Sequence, residues 1–148
     1  MNDKLTLFTK RLLDIMFFSG ILVEILLPGI IYIFSDYNDY YRKYIIVMFL
    51  TIFSSGVMAL LIISELRKIF KTVIAEDCFV CENVTRLNKM GNYSFVISAI
   101  TVIRSFFYIT PASIVIIIVF VVASLFSKVL ACVFDKAVAY KLENDMTV

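Results

Sequence analysis

Histidine is absent from the 148 residues, which removes the commonest metal ligand and the general base best matched to neutral pH. Three cysteines, an odd number with no signal-peptide context, do not describe a disulfide framework. Charge is also scarce. Only 18% of residues are Asp, Glu, Lys or Arg, and the formal charge of +2 is too small to mark a nucleic-acid surface. No direct nucleic-acid partner, catalytic residue, metal site or cofactor is therefore expected, and the chain is read as a non-enzyme.

What fills the sequence instead is hydrocarbon. Hydrophobic residues make up 61% of it and the mean hydropathy is +0.95, a composition of membrane proteins. Lys4, Lys10 and Arg11 precede a first apolar run at 12–34, superficially like a secretory signal. An h-region holds roughly 7 to 15 residues and ends in a small-residue cleavage site, so this longer run reads as a retained anchor. Crossing about 30 Å of hydrocarbon takes about 20 helical residues. Runs at 12–34, 44–63, 94–110 and 114–133 supply four such crossings, an all-α, polytopic four-helix transmembrane bundle in a single domain, 1–148. Thr110-Pro111-Ala112-Ser113 reads as a tight turn, because Pro111 biases Thr110 away from helix and can itself start the next one.

Orientation follows from basic residues in short loops. Lys4, Lys10 and Arg11, then Arg67, Lys68, Lys71, Arg86 and Lys89, then Lys128, Lys136 and Lys141 fall on one side; only Arg42 and Lys43 fall on the other. Both termini and the middle loop are expected in the cytoplasm of a bacterial cell, with the chain in its inner membrane and the lipid bilayer as first partner. Tyr32, Tyr37, Tyr40, Tyr41 and Tyr44 cluster at the first external loop, where amphipathic rings meet headgroups.

Between the second and third runs, residues 64–91 keep helical periodicity. Leu66, Ile69, Phe70, Val73 and Ile74 extend the second helix beyond the membrane, with Arg67, Lys68 and Lys71 at the headgroups. Asp77 is placed to cap a further short helix that carries Val80, Val84 and Leu87 and closes before Gly91. The fourth helix runs on to about residue 144, presenting Leu130, Val133, Phe134, Ala137 and Val138 on one face. An apolar face outside lipid must cover something.

Inside the membrane, Glu24 and Arg104 lie at about 18 Å and about 15 Å when each is counted from its helix's inner start. Opposite charges at one depth neutralise each other, so they are expected to meet as a polar clasp or a ligand site with Ser54, Ser55 and Thr101 nearby. Pro28 frees the Glu24 carbonyl for Arg104 or a hydroxyl. Asp14 reads as a solvated carboxylate beside Lys10 and Arg11. Cys78 and Cys81 form a C-x-x-C, but a second ligand pair is missing and a cytoplasmic position favours reduced thiols.

The segment Glu82-Asn83-Val84-Thr85-Arg86-Leu87-Asn88-Lys89-Met90-Gly91 and the tail Glu143-Asn144-Asp145-Met146-Thr147-Val148 resemble bacterial membrane proteins of the family called domain of unknown function 2975. The resemblance covers the whole chain: four helices, an ENVxxLxxxG segment and an ENDLTI-like tail. Asp77-Cys78-Phe79 stands where that family commonly has Asn-Pro-Phe. Such proteins are often encoded beside a small helix-turn-helix regulator. The resemblance therefore implies a membrane interaction protein, a sensor or inhibitor that sequesters or regulates such a transcription factor at the cytoplasmic face. Asn83, Arg86, Phe134, Glu143, Asn144 and Asp145 are the candidate docking residues. A small transporter using the embedded Glu24 is the alternative, and a membrane thiol oxidoreductase a weaker one. Nothing in the sequence sets an oligomeric state.

Overall fold

A computed structural model describes residues 3–36, 42–107 and 109–146. Among them the chain is all-α, with four long helices: α1 (Asp3–Asp36), α2 (Ile45–Ile74), α3 (Cys81–Ser105) and α4 (Pro111–Met146). The loop tyrosines Tyr37, Tyr40 and Tyr41, and the last two tail residues Thr147 and Val148, lie outside the described residues.

Each helix packs on its neighbour in sequence, α1 on α2, α2 on α3 and α3 on α4. Side-chain pairs fix every neighbour as antiparallel. Gly20 meets Leu60 and Glu24 meets Gly56 across α1 and α2, Thr72 meets Asn83 across α2 and α3, and Arg104 meets Ser113 across α3 and α4. The start of α4 is specified locally. Pro111 occupies the first helical position, where its missing N–H costs nothing, and the Ser113 amide donates to Thr110 Oγ1 at 3.2 Å, a side-chain N-cap. Pro111 thus starts the helix as expected, but residues 111–113 form the first turn of α4 and not the connection, since α3 already ends at Ser105.

Three helices, α1, α2 and α4, are long and apolar enough to cross a membrane. Helix α3 differs because its first half carries Glu82, Asn83, Arg86, Asn88, Lys89 and Asn92. It is also one unbroken helix. The expected short helix ending before Gly91, with a reversal after it, does not form: Gly91 sits inside α3, where a Cβ would come within 3.1 Å of the Ser124 carbonyl and 3.0 Å of Lys128 Cγ. The glycine serves close approach to α4 rather than termination. On the same face Ser94, Ser98 and Thr101 of α3 and Ser124 and Ser127 of α4 are buried, small side chains that let two backbones come together.

Helix α2 ends in a Schellman motif, with the Asp77 amide donating to the Thr72 carbonyl at 3.1 Å and the Glu76 amide to the Val73 carbonyl at 3.2 Å. Glu76 takes the left-handed conformation that motif demands, with φ 57°. Asp77 does not cap α3, whose N-cap is Val80 without a side-chain bond. Its carboxylate is engaged by Lys141 instead.

Candidate functional site

Two polar regions stand out, one at each level of the structure. At the end that holds the α2–α3 connection, called the inner end after the orientation expected from the sequence, α2, α3 and α4 close around Ile69, Leu87, Met90 and Ala131, with Val73, Val84 and Phe134 packed against them. Asn83 is 0% exposed. Its amide nitrogen donates to Thr72 Oγ1 at 2.6 Å and to the Cys78 carbonyl at 2.8 Å, so one carboxamide ties the tail of α2, the connecting loop and the start of α3. Arg86 donates to Glu82 at 2.8 Å and to Asn83 Oδ1 at 3.4 Å.

Most named letters of the ENVxxLxxxG segment therefore have an internal task, Glu82 alone being an exposed partner of Arg86. Glu82 holds Arg86, Asn83 is the clamp, Val84 and Leu87 fill the core, and Gly91 admits α4. This corrects the docking role expected for Asn83, because a side chain with no accessible surface cannot meet a partner. Phe134 is half-buried against the same core, with its ring centroid 5.4 Å from that of Phe79. Glu143, Asn144 and Asp145 are exposed.

Two ion pairs brace this end. Arg67 donates to Asp14 at 2.6 Å while its guanidinium lies 4.5 Å from the Phe17 ring centroid and 5.6 Å from that of Phe18, a cation–π arrangement. Asp14 is accordingly the partner of α2 rather than a solvated neighbour of Lys10 and Arg11, and Arg67 is turned inward rather than out to headgroups. Lys141 donates to Asp77 at 2.7 Å. Lys141 lies 30 residues along α4 from Pro111, about 45 Å, beyond a hydrocarbon core of about 30 Å. The hydrogen bond to Asp77 holds its ammonium above the ordinary lysine pKa, against partial desolvation, with the charges of Asp77 and Asp145 acting in the same sense. Neither contact was legible from spacing, since each joins residues more than 50 apart.

Within the membrane-crossing stretch the expected clasp is not assembled. Arg104 occupies the last turn of α3, where a cation suits the helix dipole, and donates to Ser113 Oγ at 3.0 Å; Ser113 in turn shares a hydrogen bond with Thr110 Oγ1 at 2.8 Å. Glu24 faces α2. Its carboxylate occupies the space where a Cβ on Gly56 would stand, and its Oε2 is buried with no hydrogen-bond partner among the described residues. The discrepancy has a simple origin. Depth counted from residue 94 takes that point as the start of the helix and expects it to run to 110, whereas α3 starts at Cys81 and ends at Ser105, so Arg104 belongs to its last turn. Thr101 is buried, its hydroxyl donating to the Ile97 carbonyl at 2.8 Å. Ser54 and Ser55 are half-buried on α2, next to Gly56.

Among the described residues Cys78, Cys81 and Cys132 are free thiols, and no group of three or more potential metal ligands forms. Gly56, which the sequence places in the same layer as Ser54 and Ser55, is the residue of α2 that Glu24 meets.

No curated protein and no solved structure matches the chain. A family model matches residues 32–148, which takes in the Asn83 clamp, Arg104 and the inner ends of α2, α3 and α4, and begins after Glu24. The chain belongs to the family described as Protein of unknown function (DUF2975).

Proposed function

We propose that this is a four-span protein of the bacterial cytoplasmic membrane with both termini inside, and that its inner end holds a small soluble helix-turn-helix regulator away from DNA. The topology is supported by the bias of basic residues toward one side. It is supported too by the run of the helices. α2 and α4 are both apolar enough to cross and α3 lies antiparallel between them, so α3 carries the chain back through the same layer with its polar face covered by its neighbours.

The observation that carries the docking reading is the packed inner module itself. A spanning helix needs about 20 residues, yet α4 has 36, and its surplus is ordered against α3 and the loop through Ala131, Phe134, Val138 and Lys141. Beyond that brace the end of α4 exposes Tyr140, Leu142 and Met146 beside Glu143, Asn144 and Asp145. Apolar side chains with an acidic rim, held outside lipid, suit a basic, helical partner.

The test uses the full chain in nanodiscs and the purified regulator. Truncation after Tyr140 is expected to leave helix content and membrane insertion intact, to abolish regulator binding, and to change transcription of the regulator's targets. Undiminished binding by the truncated chain refutes the docking reading. A reporter fused after residue 148 that behaves as external refutes the topology.

A further inference from the structure

Two buried side-chain atoms lack a hydrogen-bond partner among the described residues, Glu24 Oε2 between α1 and α2 and Arg104 Nε near the α3–α4 turn; Arg104 is nevertheless held through its other nitrogen by Ser113. Glu24 lies over Gly56 with Oε2 buried and without a hydrogen-bond partner. The basic side chains of the helices nearest it are committed elsewhere, Arg67 to Asp14 about ten residues away along α1 and Arg104 to Ser113 at the end of α3. Ser19, the hydroxyl in the adjoining wall, donates to its own helix at the Met16 carbonyl, 3.1 Å away.

Beside this carboxylate a groove of about 280 Å³ runs between the helices, with Ser19, Gly20 and Val23 on one wall and Gly56, Ala59 and Leu60 on the other. Val23 and Met16 at its margin are 53% and 45% exposed, so the groove opens on the flank that faces lipid in a membrane. Its size lies just below the roughly 300–1,000 Å³ of drug-sized ligand pockets, which suits a compact charged head rather than a large ring system.

We propose that the groove between α1 and α2 binds an amphiphilic organic cation that enters sideways from the bilayer, seating its ammonium head on the Glu24 carboxylate while its alkyl body remains in lipid. The complementarity is of chemistry and of surface: a half-buried carboxylate with one buried, unpartnered oxygen, in walls that are mainly apolar. Gly20 and Gly56 make the room that Leu60 and the Glu24 carboxylate occupy, because side chains there would collide with them. This site is independent of the docking platform at the inner end.

The experiment measures equilibrium binding of radiolabelled dodecyltrimethylammonium to the full chain in phosphatidylcholine nanodiscs, with empty discs as background and an uncharged dodecyl ether as competitor. One saturable site is expected, insensitive to the ether, and weakened at least tenfold by Glu24→Gln but retained by Glu24→Asp. A second measurement uses the unaltered protein: saturating dodecyltrimethylammonium should reduce modification of Glu24 by dicyclohexylcarbodiimide, read as the mass of the peptide that carries it. Binding no greater than to empty discs, equal affinity in a folded Glu24→Gln protein, or Glu24 modification unchanged by the cation each overturns the proposal. If Glu24→Gln does not fold, the carbodiimide measurement decides.

Discussion

Replacing Asn83 by Ala tests whether the inner module is held by one buried carboxamide. The substitution removes two donated hydrogen bonds, to Thr72 Oγ1 and the Cys78 carbonyl, each with a net value of about 1 kcal/mol, and leaves the carbonyl to find another donor at a further cost of about 1 kcal/mol or more. The sum, about 3 kcal/mol, corresponds to roughly a hundredfold change in a local opening equilibrium. Hydrogen exchange in nanodiscs reads that equilibrium at the amides of Glu76, Asp77 and Asn83, which are bonded to Val73, Thr72 and Val80 in the closed loop. Their exchange is expected to accelerate by up to about a hundredfold, while amides in the middle of α1 keep their wild-type rates. Thr72→Val should produce a smaller acceleration, and the double substitution less than the product of the two, because they share a bond. Wild-type exchange around the loop in Asn83→Ala, or equal acceleration throughout α1, refutes the clamp.

Gly91→Ala should be nearly neutral in thermal unfolding, the helix-propensity gain of about 1 kcal/mol offsetting contacts at 3.0 and 3.1 Å, whereas Gly91→Leu should separate α3 from α4 and lower the melting temperature sharply. Glu76→Gly is expected to stabilise by about 1 kcal/mol, since φ 57° costs glycine little; a loss of stability in denaturant titration would show that the side chain is needed there. Asp14→Asn and Arg67→Gln should show a coupling of about 1 kcal/mol in a double-mutant cycle, and additive effects would mean that the pair of α1 and α2 is incidental. The raised pKa of Lys141 makes its contact with Asp77 fully stabilising below the unfolded lysine pKa of about 10.4 and lost as pH rises through the higher folded value. A spin label near the end of α4 should therefore loosen above that range, and a Lys141→Met protein that loosens over the same range would refute the assignment.

The sequence by itself determined the long apolar segments of α1, α2 and α4 and where the flanking cations fall along the chain. Both are properties of composition along the chain, which lipid and water read locally. It also determined the start of α4 at Thr110-Pro111, because capping and the fixed φ of proline act within four residues. The family segment was legible as a pattern, but its meaning was not: a short polar motif reads equally as a surface or a clamp until α2 and α4 close over Asn83. Tertiary structure decided the pairing of charges. Glu24 and Arg104 matched in sign and in nominal depth, yet a helix rises a constant amount per residue, so the displaced start and end of α3 put Arg104 in its last turn. Asp14 found Arg67 and Asp77 found Lys141 for the converse reason: those pairs depend on the register of antiparallel helices, which is set by small residues such as Gly20, Gly56 and Gly91 meeting larger neighbours, and such meetings exist only once the helices are packed.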